Sequence, residues 1–139
     1  MEEIEIIKPD DWHVHFRENE MLEMVTNFSS RVNNRCVAMP NTKIPITDTH
    51  KAILYRNKLN EVSKNKFEPL IPCYLTENLD IVNFRKGLQD RSFFGAKLYP
   101  SNATTNSKHG IRKISNIYNL FEILEEEKRP LLIHGEKVS

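Results

Sequence analysis

Residues 11–28 read Asp11-Trp12-His13-Val14-His15-Phe16-Arg17-Glu18-Asn19-Glu20-Met21-Leu22-Glu23-Met24-Val25-Thr26-Asn27-Phe28. The first six form a short alternating run, which reads as a strand with Trp12 and Val14 on one face and His13 and His15 on the other. Met21, Met24, Val25 and Phe28 then recur at i, i+3, i+4 and i+7, the spacing of a helix whose apolar stripe covers a sheet. A strand followed at once by a sheet-covering helix is the elementary unit of an α/β fold.

The same switch of period returns along the whole chain. Glu3 to Lys8 reads as a short lead-in strand. Arg35 to Met39 is a second main strand, stopped by Pro40-Asn41, and Asp48 caps a helix that turns Ala52, Tyr55, Leu59 and Val62 inward. Pro69 to Leu75 gives a third strand, weakened by its two prolines. Ile81, Phe84 and Leu88 mark the next helix, Phe93 to Tyr99 the fourth strand, and Pro100 ends it. After a polar loop, Ser101 to Gly110, the stripe Ile117, Leu120, Phe121 and Leu124 precedes a fifth strand, Leu131 to His134. Strands recurring at the length of a βαβ unit must be parallel and joined by right-handed crossovers. The expectation is one α/β domain over 1–139 with no internal boundary. It would be an incomplete (β/α)8 TIM barrel of about five units, because a closed barrel needs around 250 residues. A five-stranded doubly wound sheet of flavodoxin type also fits this length, but no glycine-rich phosphate loop follows the first strand.

Composition narrows the function. Twenty Lys and Arg against 19 Asp and Glu leave a net charge of +1, without a charged block, which disfavours nucleic-acid binding. Mean hydropathy is −0.54, and the apolar runs are far shorter than the ~20 residues of a membrane span. A soluble, cytoplasmic protein is expected. Cys36 and Cys73 lack CxxC spacing and read as buried thiols.

Four residues carry chemistry at the C-terminal ends of strands, where parallel barrels place their active sites. His13 and His15 project from one face about 6.6 Å apart, within reach of a single metal ion. Lys97 interrupts an apolar strand and is expected to point inward, opposite Ala96 and Leu98, where a lone amine is costly unless neutral, paired or modified. His134 ends the fifth strand on the face opposite Ile133, which is expected to pack on helices. A neutral Lys97 that captured carbon dioxide would become a carbamate able to bridge metals. Arg17 and Asn41 lie at the mouth and suit a substrate carboxylate. His50 and His109 are expected on the surface.

Asp11 to Arg17, Ala38-Met39-Pro40-Asn41-Thr42, Cys73-Tyr74-Leu75-Thr76, Ala96-Lys97-Leu98-Tyr99-Pro100 and Leu132-Ile133-His134-Gly135-Glu136 together resemble the dihydroorotases. The likeness is to the N-terminal portion of the compact bacterial type, and Asn102 to Ser107 with His109-Gly110 resembles that type's active-site loop. The resemblance implies the amidohydrolase barrel of metal-dependent hydrolases and two zinc ions. It assigns His13, His15 and His134 as metal ligands and Lys97 as the bridging N6-carboxylysine, with carbon dioxide its source. It assigns Arg17 and Asn41 to the substrate carboxylate, and Thr104 and Thr105 to a loop tip closing over the substrate. It further implies a homodimer acting on a small molecule, with no nucleic-acid or membrane partner. The family's general base is expected beyond Ser139, so no catalytic acid–base residue is assigned within these residues. Two other readings stand beside this one: an inactive half-barrel or structural partner, and a related hydantoinase or allantoinase.

Overall fold

In the computed structural model, which describes residues 3–136, Asp10–Val14 forms β1 and Arg35–Ala38 forms β2. Glu68–Leu70 is β3, Cys73–Tyr74 is β4, Ala96–Leu98 is β5 and Leu131–Ile133 is β6. The helices are α1 (Glu20–Val32), α2 (Thr49–Val62), α3 (Ile81–Gln89) and α4 (Tyr118–Glu126), the last preceded by a 3₁₀ turn at Ile114–Ile117.

Every strand pairing is parallel, and spatial order follows chain order: β1-β2-β3 in one ladder and β4-β5-β6 in the next. A doubly wound sheet reverses its strand order at a switch point, and a barrel wall does not. Curvature agrees. Trp12 of β1 and Phe94, just before β5, bring their rings to 5.8 Å across the intervening strands. Successive helices pack on one another, α1 on α2, α2 on α3 and α3 on α4, as an outer layer. Phe84, Leu88, Phe93, Leu59 and Ala52, all fully buried, fill the space between this layer and the sheet.

Local chemistry explains the elements. The Asp48 carboxylate accepts from Lys51 N at 2.9 Å and caps α2, and Asp80 does the same for α3 through Val82 N and Asn83 N. Gly95 allows β5 to approach β6 closely, since a Cβ there would lie 2.4 Å from the Pro130 carbonyl oxygen. Ala96 N donates to that same oxygen.

Several expectations are corrected. Residues 3–9 form no strand and are exposed. The third strand is split: Pro72 offers no N–H, so β3 pairs with β2, and β4 pairs with β5 after a break at Ile71-Pro72. The stripe on α1 faces outward, with Met21, Met24 and Phe28 half-exposed, while Leu22, Thr26 and Ser30 turn inward. The small residues Thr26 and Ser30, one turn apart behind Leu22, let the helix lie close to the sheet, and that spacing competes directly with the larger apolar set. Trp12 does not share the buried face of Val14. β1 carries one extra residue between Asp11 and Val14 relative to β2, a bulge that breaks the alternation. Ile133 is 60% exposed rather than packed on helices, because β6 is the outer strand of its ladder among the described residues. Both cysteines are free and buried, and burial raises the Cys36 thiol to about 11. His50 and His109 are exposed, as expected.

Candidate active site

The bulge in β1 shapes the first part of the site. His13 N donates to the Asp11 carboxylate at 3.0 Å, and β1 ends at Val14, so His15 lies one residue beyond the regular ladder. The two imidazoles converge: Nε2 of His13 and Nε2 of His15 are 3.2 Å apart, far closer than strand spacing alone suggested. Two nitrogens bound to one tetrahedral zinc at about 2.0–2.1 Å would be separated by roughly 3.3 Å. The pair therefore fits a shared metal ion. Burial is the main cause holding both imidazoles below the usual histidine range. The charges of Lys97 and His134 add to this for His13, and those of His13, Arg17 and Lys97 for His15. Neutral imidazole is the form that binds metal.

Lys97, on β5, is 2% exposed, and its Nζ stands 5.3 Å from the centre of the Tyr99 ring. Burial alone pushes its amine below the usual lysine range. His134 follows β6, held by its N–H donating to Leu98 O at 2.9 Å, and its ring lies 6.0 Å from that of Tyr99. Its Nε2 is turned to Glu136 Oε2 at 3.0 Å instead of toward the histidine pair. Among the described residues, no three of His, Cys, Asp or Glu gather closely enough to hold a metal. The structure thus brings His13 and His15 together, sets Lys97 and His134 within electrostatic range of His13, and leaves His134 off the pair.

Arg17 is exposed, and its backbone is left-handed at φ 63°, as is that of Asn19 at φ 55°. Non-glycine residues there carry strain of about 1–2 kcal/mol each, which at the end of β1 turns the chain sharply into α1. Asn41 is 7% exposed and fully engaged. Its Oδ1 accepts from the Tyr99 hydroxyl at 3.0 Å, its Nδ2 donates to Thr105 O at 2.9 Å, and its own carbonyl accepts from Asn106 Nδ2 at 3.0 Å. The Asn41 side-chain oxygen also accepts from the protonated His15 ring, which raises the His15 pKa against the larger lowering causes. Thr104 and Ser107 close the loop on itself: Thr104 N donates to Ser107 Oγ at 2.9 Å, and that hydroxyl donates to Thr104 O at 2.6 Å. Thr105 is exposed at the tip. Gly110 ends the loop where a Cβ would meet Tyr99 O at 2.4 Å.

Sequence reasoning passed over Tyr99, Tyr74, Asn106 and Glu136. The signal for Tyr99 was present, because strand alternation places it on the Lys97 face. For Asn106 the cue was weaker: an asparagine in a polar loop, here left-handed at φ 56°.

With this geometry in place, the comparisons give a consistent result. No protein-family profile matches the chain. A dihydroorotase of Buchnera aphidicola subsp. Schizaphis graminum is 49% identical over 139 residues, which is 99% of this chain and 40% of that protein. One from Yersinia enterocolitica is 47% identical over 135 residues, 96% of this chain and 39% of that protein. Among solved structures, the dihydroorotase of Saccharomyces cerevisiae in complex with 5-fluoroorotic acid superposes with TM-score 0.87 and 34% identity, covering 94% of this chain and 36% of the other. That of Campylobacter jejuni gives 0.85 and 31%, covering 94% and 38%. An L-hydantoinase from Arthrobacter aurescens shares the fold at TM-score 0.72 and 13% identity, covering 94% of this chain and 29% of the other. The parallel wall, its sequential strand order and these superpositions define the chain as part of a TIM barrel of the amidohydrolase type. Within that class, over nearly its whole length, it is similar to part of the dihydroorotases. It spans about 40% of the length of the curated relatives it matches.

Proposed function

We propose that this chain contributes to a dihydroorotase, which reversibly hydrolyses L-dihydroorotate to N-carbamoyl-L-aspartate in pyrimidine synthesis. The observation that carries the reading is the 3.2 Å convergence of His13 Nε2 and His15 Nε2, with the buried amine of Lys97 near enough for its charge to act on both. In this proposal His13 and His15 would hold zinc together with carboxylated Lys97 as the shared ligand, and His134, released from Glu136, would be the further ligand. Zinc, when bound, supplies Lewis acidity toward the ring-amide carbonyl and an activated water.

The chain's own residues do the rest. Burial favours the neutral Lys97 amine, whose nitrogen forms a bond to carbon dioxide and loses one proton to give the carbamate. Arg17 binds the substrate carboxylate with its planar pair of donors, and Asn41 adds an amide donor. Thr104 and Thr105 cover the bound substrate and exclude water. In hydrolysis the ring C–N bond breaks, the water oxygen joins the carbonyl carbon, and the departing nitrogen gains a proton. The family resemblance assigns that proton transfer to a residue beyond Ser139. A cytoplasmic location and a homodimer belong to the same proposal.

Ile133, exposed on the outer strand, favours a second reading in which these residues alone form an open half-barrel without turnover. Turnover of L-dihydroorotate, hydantoin and allantoin by the zinc-loaded protein separates the possibilities. Hydrolysis confined to L-dihydroorotate is the expected result. Preference for hydantoin or allantoin overturns it in favour of a related amidohydrolase, and silence toward all three favours the half-barrel.

A further inference from the structure

Asn41 is the point where the clamp, the histidine pair and the loop meet, and a side-chain amide in that position has a built-in ambiguity. Its oxygen and nitrogen are nearly the same size, so only the groups around it decide which way it faces. Nδ2 must face Thr105 O and the site for Asn41 to donate to the loop and to a carboxylate. The Thr105 carbonyl, which can only accept, takes Nδ2 at 2.9 Å, and the Tyr99 hydroxyl then donates to Oδ1 at 3.0 Å in a buried contact that holds the amide in that orientation. Tyr99 is itself fixed: it is 1% exposed, its ring lies 5.0 Å from that of fully buried Tyr74, and Lys97 Nζ sits over its face. Tyr74 completes the arrangement by donating its hydroxyl to Asn106 O at 3.2 Å, while Asn106 Nδ2 donates to Asn41 O. Two buried tyrosines, Tyr74 at the end of β4 and Tyr99 just after β5, thereby hold two successive loop residues, Thr105 and Asn106, Tyr99 through Asn41 and Tyr74 directly.

We infer that Tyr99 is a positioning residue whose hydroxyl fixes the Asn41 amide and, through it, latches the Ser101–Gly110 loop over the site. The consequence for the carboxylate rests on the proposed function, whereas the latch stands on the hydrogen bonds alone. Without the hydroxyl, Oδ1 loses its buried donor, and the amide departs more readily from the orientation in which Nδ2 meets Thr105 O and the carboxylate.

Tyr99→Phe tests this cleanly, because it keeps the ring that stacks on Tyr74 and covers Lys97. Lys108 is an exposed trypsin site inside the loop, so its cleavage rate under native conditions reads the loop's opening. Cleavage at Lys108 in Tyr99→Phe should accelerate about fivefold, the effect of one buried neutral hydrogen bond. Tyr55→Phe, which alters a half-buried tyrosine outside this network, sets the baseline and should leave the rate unchanged. In the active protein, Tyr99→Phe should raise KM for the carboxylated substrate about fivefold with a smaller change in kcat. An unchanged Lys108 cleavage rate in Tyr99→Phe overturns the latch, and a fall in kcat at constant KM overturns the positioning of Asn41. If the wild-type protein turns over no dihydroorotate, the proposed function fails, but accelerated cleavage still supports the latch.

Discussion

Lys97→Met should make the metal-free protein more stable while removing its proposed metal bridge. Lys97 is 2% exposed on β5, with its amine held below the usual lysine range by burial and no carboxylate beside it among the described residues. Burying an uncompensated polar group costs about 1–3 kcal/mol in measured mutant series. The 5.3 Å contact of the amine with the Tyr99 ring reduces that cost by about 0.5–1 kcal/mol. Methionine keeps most of the stem's volume, so the packing against the sheet survives. The net expectation is a gain of about 1–2 kcal/mol, or roughly 3–8 °C in Tm for a domain of this size. Thermal unfolding followed by circular dichroism at neutral pH, with chelator present and carbon dioxide excluded, reads the change. A variant that melts at or below the wild-type temperature would refute the view that Lys97 is kept at the expense of stability. Turnover by the zinc-loaded variant should be abolished.

His13 and His15 are both held below the usual histidine range, chiefly by burial. The unfolded chain takes up protons at the ordinary value of about 6.5, so the metal-free protein should lose stability as pH falls below that value. The loss should level off once the folded-state imidazoles also protonate. Urea midpoints between pH 8 and pH 5 check this, and a His13→Asn/His15→Asn variant should show a shallower decline. Arg17→Met should raise KM for the carboxylated substrate at least tenfold, as a charge-assisted bond is worth about 1.5–3 kcal/mol. Unaltered KM and kcat would remove Arg17 from the clamp.

Much of the fold was legible because its signals are local. The capping aspartate Asp48, the inward set Ala52 and Leu59, and the proline stops at Pro40 and Pro100 each act within a few residues. The α1 stripe misled because Thr26 and Ser30 are polar by composition yet small enough to let the helix approach the sheet. No periodicity of apolar residues reports that preference. The bulge in β1 was equally hidden, since it depends on pairing with β2 rather than on β1 itself. It also explains why alternation misplaced Trp12 while the His13–His15 pair, the feature alternation placed together, closed to hydrogen-bonding distance. The contacts of Asn41 with Tyr99, Thr105 and Asn106 join residues about 60 positions apart, and only the folded wall brings them together.

Zinc retained after dialysis against metal-free buffer most directly measures the proposed metal-binding pair of His13 and His15 at the C-terminal end of β1. The wild-type protein should keep zinc that the His13→Asn/His15→Asn variant does not. Equal zinc content in the two proteins would contradict the account.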